Sequence, residues 1–224
     1  DYETADEEKF CIEKFGKRPY YYLKDMGWAE SNAWYAHCVH LNDEELKDMA
    51  LNGVGVAHCP SSNMRLGSGI ARISKMLELG VKVSLAVDGS ASNDASDFLG
   101  EMRQMLLLSR VGFGASSMKT MDVIRTATMG GAQVLHWADD IGSLEVGKAA
   151  DLNLWSLDDI SYAGAQSDPV AALIFSGRNH EARYVMVNGE ITVENGRLTK
   201  VDQDELRKDA FKRSSALWKR DGVV

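Results

Sequence analysis

The stretch WYAHCVHL, residues 34 to 41, ends an apolar run with two histidines and a cysteine, a composition that raises the question of a metal. His37 and His40 lie three positions apart. In a strand that spacing turns them to opposite faces, so one ion does not easily take both, and only one can face a site at the strand end. His58 ends a second apolar run, GVGVAHC, and Asp88 a third, VKVSLAVD, ahead of the small-residue loop Gly89-Ser90-Ala91-Ser92-Asn93-Asp94. A carboxylate leaving a buried strand needs a cation or several donors, because its desolvation is otherwise costly. Metal ligation or general-base work would use Asp88 in this way; the plainer alternative is a loop cap satisfied by the amides of Ser90 to Asn93. The histidines have a plain alternative too, as hydrogen-bonded core residues. By their surroundings alone, Glu3 reads as solvated surface, Cys38 and Cys59 as small core hydrophobes, and His136 and His180 as surface or packing residues.

The elements that must position these residues alternate. Thr4 and Glu7 form a T-x-x-E capping box for a helix carrying Phe10, Cys11 and Phe15, which Gly16 ends before Pro19 opens another turn. Residues 33 to 39 read as a buried strand, and Asn42 with Glu45 caps a helix with Leu46, Met49 and Ala50 on its apolar side. GVGVAHC is a second strand, PSSNMRLGSG a Gly/Ser loop, and IARISKMLELG a helix presenting Ile70, Ile73, Met76 and Leu77. VKVSLAVD, GSASNDAS and FLGEMRQMLLLSRV repeat the order. Strands alternating with amphipathic helices indicate a parallel sheet, with active residues at the carboxyl ends of its strands, where His37, His58 and Asp88 fall. From about Gly142 the texture becomes β-rich, with Asn188-Gly189 and Asn195-Gly196 as hairpin turns. Leu206, Ala210, Phe211 and Leu217 then give a final amphipathic helix expected to dock on the body.

Composition narrows the function classes. The chain has 224 residues, of which 45% are hydrophobic, enough to bury a sizeable core. Against 33 Asp and Glu stand 25 Lys and Arg, and the net charge of -8 repels phosphate backbones and anionic lipid, so neither nucleic acid nor membrane is expected as a partner. Three scattered cysteines without a C-x-x-C pair speak for a reducing cytoplasm, and the acidic start DYETADEEKF has no signal-peptide character.

The stretches AHCVHL, VAHCPSSNMRLGSGIA, DGSASND, GGAQVLHWADDIGSLEVGKAADLNLW and VMVNGEITVENGRL together resemble the amidohydrolase superfamily, most of all its branch of aminohydrolases acting on purines and triazines. Within that branch DEEKFCIEKFGKRP, DGSASND and DPVAALIF are most similar to deaminases of 8-oxoguanine. The resemblance implies an α/β fold: the C-terminal part of a (β/α)8 TIM-type barrel over 1–140, a small β-sandwich element over 141–200, and a C-terminal helix over 201–224. In the branch, one metal is held by an H-x-H pair, by a histidine within H-x-x-E-T on the fifth strand, and by an aspartate ending the eighth. Glu3-Thr4 matches the E-T, which puts the fifth-strand histidine one position ahead of Asp1, and the chain contains no H-x-H. What is matched is the C-terminal half of such an enzyme.

Carried over by position, the resemblance makes Asp88 the metal ligand and general base, His37 the histidine that contacts the attacking water, and Glu3 the proton shuttle; they stand 34 and 51 residues apart in the order Glu3, His37, Asp88, as in the branch. His58, Ser62 and Asn63, before and in the loop that closes over the ring, become candidate substrate contacts. The implied cofactor is one divalent metal, zinc first and iron second. The implied reaction is hydrolytic deamination of a purine-like heterocycle, 8-oxoguanine giving urate and ammonia, by a homodimer or larger homo-oligomer. Hydroxylated s-triazines, guanine and pterins are the alternative substrates, and a metal-free fragment or scaffold is the alternative of another class.

Overall fold

The computed structural model describes residues 2–177 and 180–222, so the outermost positions of the expected ranges, 1 and 223–224, lie outside it. The chain divides into two compact units, one formed by 1–148 with 159–180, the other by 149–158 with 181–224.

In the first unit three parallel strands, β1 (Trp34–Ala36), β2 (Gly55–His58) and β3 (Lys82–Leu85), lie in sequential order. Two short helices, α1 (Ala5–Phe15) and α2 (Pro19–Asp25), precede them. The crossovers are α3 (Asp43–Asn52), between β1 and β2, then α4 (Pro60–Arg65) and α5 (Ile73–Leu79), between β2 and β3. Beyond β3 come α6 (Phe98–Phe113), α7 (Thr120–Arg125), a π-helical turn over Thr126–Gly130, α8 (Gly131–Val134) and α9 (Pro169–Phe175). Strand, crossover helix, parallel strand is the expected barrel repeat. Leu46, Met49, Val54, Val56, Met76, Val83 and Leu106 fill the layer between sheet and helices and are almost wholly buried.

Most local signals act as written. Asn42 accepts from the Glu44 and Glu45 amides, and Glu45 returns a bond to the Asn42 amide, a complete capping box for α3. Gly16 ends α1 in the left-handed conformation and Pro19 opens α2. Three readings need correction. The box at α1 does not close: the Thr4 side chain makes no cap bond, and Glu7 instead accepts from the Glu3 amide at 3.1 Å, because the chain turns sharply at Tyr2, whose φ is 56°. The strand expected to reach Val39 stops at Ala36, since His37 and Cys38 take φ of 65° and 51°, which no strand continues. The PSSNMR stretch is helix and not loop, opened by Pro60 at its first position, where the fixed ring φ suits a helix start.

Residues 159–180, expected in the β-unit, pack with the first unit instead. The reason is α9, whose Ala172 and Ile174 are buried and whose Phe175 carbonyl receives the Arg103 guanidinium of α6 at 2.6 Å.

The second unit is a four-stranded antiparallel sheet in the order β4 (Leu152–Leu154), β5 (Tyr184–Val187), β6 (Glu190–Glu194), β7 (Arg197–Leu198), followed by α10 (Gln203–Arg220). Both Asn-Gly dipeptides make two-residue turns with φ positive at each position, 49° and 80°, then 51° and 76°, which matches the twist of the strands they join. None of the described residues of the final helix is buried, and Leu206, Phe211 and Leu217 are exposed. Among the described residues no helix is long and apolar enough to cross a membrane.

One glycine sets how closely helix and sheet approach. Gly130, at the end of the π-helical turn, lies against the backbone of β3, where a Cβ would run into the Val83 carbonyl. We expect Gly130→Ala to lower stability on the order of 1–3 kcal/mol, measured by urea denaturation; a variant as stable as the parent would show that β3 yields freely.

Candidate active site

Glu3, His37 and Asp88 are brought together from the segment before α1, the residue after β1 and the loop after β3. His37 Nε2 lies 3.6 Å from Glu3 Oε2 and 3.9 Å from Asp88 Oδ2, so one imidazole nitrogen stands between two carboxylates. The backbone at these places is unusual. His37, Cys38 and Asp88, and Tyr2 beside Glu3, all have φ between 51° and 65°. Such a conformation costs a non-glycine residue about 1–3 kcal/mol and persists where the surroundings over-determine it, as at active sites. The left-handed turn after β1 aims His37 across the strand ends, which the parity of a continued strand could not have given.

Each of the three is held by a hydroxyl or an amide. The Asp88 carboxyl is kept below the usual carboxylate range chiefly by the Ser62 hydroxyl, which donates to Oδ2 at 2.6 Å, helped by the Gly89 amide, the Ser92 hydroxyl at 2.9 Å and His37, against partial burial. The loop therefore caps Asp88 through Gly89 and Ser92 and not through the run of amides from Ser90 to Asn93. Asn93 is turned away, donating to the Val87 carbonyl and to Glu101. On the other side of the site, Ser68 Oγ donates to Glu3 Oε1 at 3.0 Å. The Glu3 side chain is only 18% exposed, so the solvated reading of this residue does not hold.

Ser62 and Asn63, consecutive on α4 and both buried, engage the catalytic candidates directly: Ser62 bonds Asp88, and Asn63 Oδ1 meets His37 Nδ1 at 2.8 Å. With Nδ1–H donated to Asn63, it is Nε2 that His37 presents to Glu3 and Asp88. His58 is buried at the end of β2 and its Nδ1 has no protein partner; burial, with His37 adding to it, holds the imidazole down at about 3, so it is neutral. His40 does not enter the group. Its Nε2 meets the Ser68 carbonyl at 3.0 Å. His136 reaches the Ser31 carbonyl, and His180 pairs with Asp97. Burial pushes the Cys38 and Cys59 thiols up to about 12, in keeping with their reading as core hydrophobes. Sequence reasoning missed Ser68 and Ser92, since a serine in a Gly/Ser loop carries no periodic or motif signal.

The donor set does not by itself make a metal centre. Among the described residues no group of three or more His, Cys, Asp or Glu side chains could hold an ion. What the arrangement can do alone is proton transfer: two carboxylates and one imidazole, each oriented by a neighbour, around a common point.

The family model described as "Amidohydrolase family" matches residues 2–192. The chain is 42% identical over 200 residues to the 8-oxoguanine deaminase of Pseudomonas aeruginosa, an alignment covering 89% of this chain and 44% of that protein. It is 34% identical over 219 residues to a 5-methylthioadenosine/S-adenosylhomocysteine deaminase of Natronomonas pharaonis, covering 97% and 50%. The crystal structure of an adenosine deaminase from Xanthomonas campestris with bound zinc superposes with a TM-score of 0.93 at 29% identity, covering 97% of this chain and 50% of that one. The chain thus spans about half the length of the curated relatives it matches.

His58 gives a test of the site's burial. Its folded value of about 3 lies below the ordinary 6.5, so as pH falls through that window the unfolded chain takes up a proton that the folded chain refuses. This contribution is fully present above 6.5 and is lost toward 3. Comparing urea midpoints at pH 7 and about pH 4.5, we expect His58→Gln to lose less stability on acidification than the parent; equal losses would mean that the imidazole is solvated.

Proposed function

The chain belongs to the amidohydrolase family, and on that premise we propose that it carries the proton-transfer half of an aminohydrolase that deaminates an aminated heterocycle, 8-oxoguanine before guanine, pterins or hydroxylated s-triazines. The observation that carries this reading is the meeting of Glu3, His37 and Asp88 at one point from three separate segments. The first relative's name supports 8-oxoguanine, and the second relative acts by name on other purines.

In the proposed reaction Asp88 accepts a proton from water as its oxygen adds to the ring carbon bearing the amine. Glu3, in its protonated form, gives a proton to the adjacent ring nitrogen, which makes that carbon electrophilic. His37 Nε2, with Nδ1–H held by Asn63, accepts from the incoming water and holds its oxygen toward the ring carbon. Asp88 then passes its proton to the amine, the carbon–nitrogen bond breaks, and ammonia leaves. As the carbonyl forms, the second proton of the water returns to Glu3. Ser62 and Asn63 fix Asp88 and His37, and we keep them with His58 as residues that border the heterocycle.

A divalent metal, zinc before iron, belongs to this reading; when bound it lowers the pKa of water to about 7. Asp88 is the carboxylate this chain offers it, and the remaining ligands are proposed to come from outside the described residues. The same deficit supports the rival reading, a metal-free scaffold. Three free cysteines suit a cytoplasmic setting.

Ammonia release from these heterocycles, measured on the zinc-supplemented protein, decides between them. We expect 8-oxoguanine to give the highest kcat/KM, and Asp88→Asn to lower kcat by about 10²–10⁴ together with the metal content. Full turnover and normal metal content in Asp88→Asn would sink the assignment; no turnover of any heterocycle would leave the scaffold.

A further inference from the structure

Glu45 is a capping residue by sequence, yet its side chain has no exposed surface and does far more than cap. Its two oxygens receive the Tyr2 hydroxyl at 2.6 Å, Arg18 Nε at 2.8 Å, an Arg18 terminal nitrogen at 3.0 Å and the Asn42 amide at 2.8 Å. Two of these three partners, Tyr2 and Arg18, lead to the site. The Tyr2 hydroxyl, its pKa raised chiefly by burial, also accepts from the Tyr20 amide at 2.6 Å, and the Tyr2 carbonyl accepts from the Val39 and His40 amides at 2.9 and 3.3 Å. Arg18 donates to the His40 carbonyl at 2.9 Å and lies over the Tyr2 ring. His40 in turn meets the carbonyl of Ser68, the residue whose hydroxyl holds Glu3.

These bonds close a ring that runs from Glu45 through Tyr2 to Glu3, and from Glu45 through Arg18 and His40 to Ser68 and back to Glu3. One left-handed residue, Tyr2, is a member of the ring, and two more, His37 and Cys38, directly precede Val39 and His40, whose amides the Tyr2 carbonyl receives. Backbone strain of that kind needs compensation from its surroundings, and the ring is where it is found. We propose that Glu45 is a positioning residue for the reaction: through Tyr2 and Arg18 it fixes the Glu3 carboxyl opposite His37 Nε2. The role in catalysis rests on the function proposed above; the geometric role does not. It also accounts for the second histidine of WYAHCVHL, which serves Glu3 through Ser68 and takes no part in holding an ion.

The test is Tyr2→Phe, which removes one hydroxyl and keeps the ring, read by histidine side-chain NMR with His37 and His40 assigned through their Gln variants. The His37 and His40 ring signals should move while that of His136 stays, and in ammonia release kcat should fall about tenfold or more with KM within about twofold, the pattern of a misplaced catalytic group. Unmoved His37 and His40 signals in a folded Tyr2→Phe would overturn the proposal, as would equal movement of all five histidines, which marks general repacking. If Tyr2→Phe does not fold, Glu45→Gln, which keeps shape and an acceptor, is read by the same criteria. Should the protein deaminate nothing, the functional reading fails while the ring signals still decide the positioning.

Discussion

Glu45 has no exposed side-chain surface, and a carboxylate so placed is tolerated only when donors meet its oxygens. Four do, from Tyr2, Arg18 and Asn42. The requirement runs outward from there. Arg18 must come in from the start of α2, Tyr2 must turn left-handed to present its hydroxyl, and the turn after β1 must lie where its amides reach the Tyr2 carbonyl. Without that carboxylate the segment bearing Glu3 would lose its side-chain tie to the turn bearing His37 and keep only the backbone bonds from Val39 and His40 and the Ser68 hydroxyl. Breaking such a buried ion pair one-sidedly typically costs about 3–5 kcal/mol, so scaffold and site share one point of dependence.

The scaffold was largely legible, because its signals are local. The Asn42 capping box, Gly16, Pro19 and the two Asn-Gly turns each act within a few residues of themselves, and the apolar runs at β2 and β3 form strands that bury four and three consecutive residues. The failures share a cause of the opposite kind. Whether residues 37 and 38 continue a strand is decided by the Tyr2 carbonyl, tens of positions away. Whether residues 159–180 join the sheet unit is decided by Arg103 and the faces of α6 and α7. An amphipathic stripe in α10 shows only that a helix could dock, since the partner surface is not written in the stripe.

The site divides the same way. Asp88 announced itself as a charge leaving an apolar run, which is local physics. Glu3 did not: a glutamate beside a helix start is ordinary, and only the resemblance promoted it. Strand parity said that only one of His37 and His40 could face a site, and the resemblance chose His37; neither residue lies in the strand. The conclusion stands on different grounds, since His40 is spent on the Ser68 carbonyl. Ser62 and Asn63 were legible as candidates but not as partners of Asp88 and His37, because a side chain's partner one crossover away leaves no trace in spacing.

The left-handed residues at 2, 37 and 88 carry a consequence for how this chain can change. Glycine is the substitution that would relieve such backbone at each of them, yet at 37 and 88 it would erase the imidazole and the carboxylate, and at 2 the hydroxyl that Glu45 receives. At 37 and 88 relief of the backbone and the proposed chemistry pull in opposite directions, whereas at 2 glycine would also forfeit a buried tyrosine. Thermal hardening of this fold is therefore to be sought at helix ends, loops or the exposed face of α10, where a substitution leaves these three side chains in place.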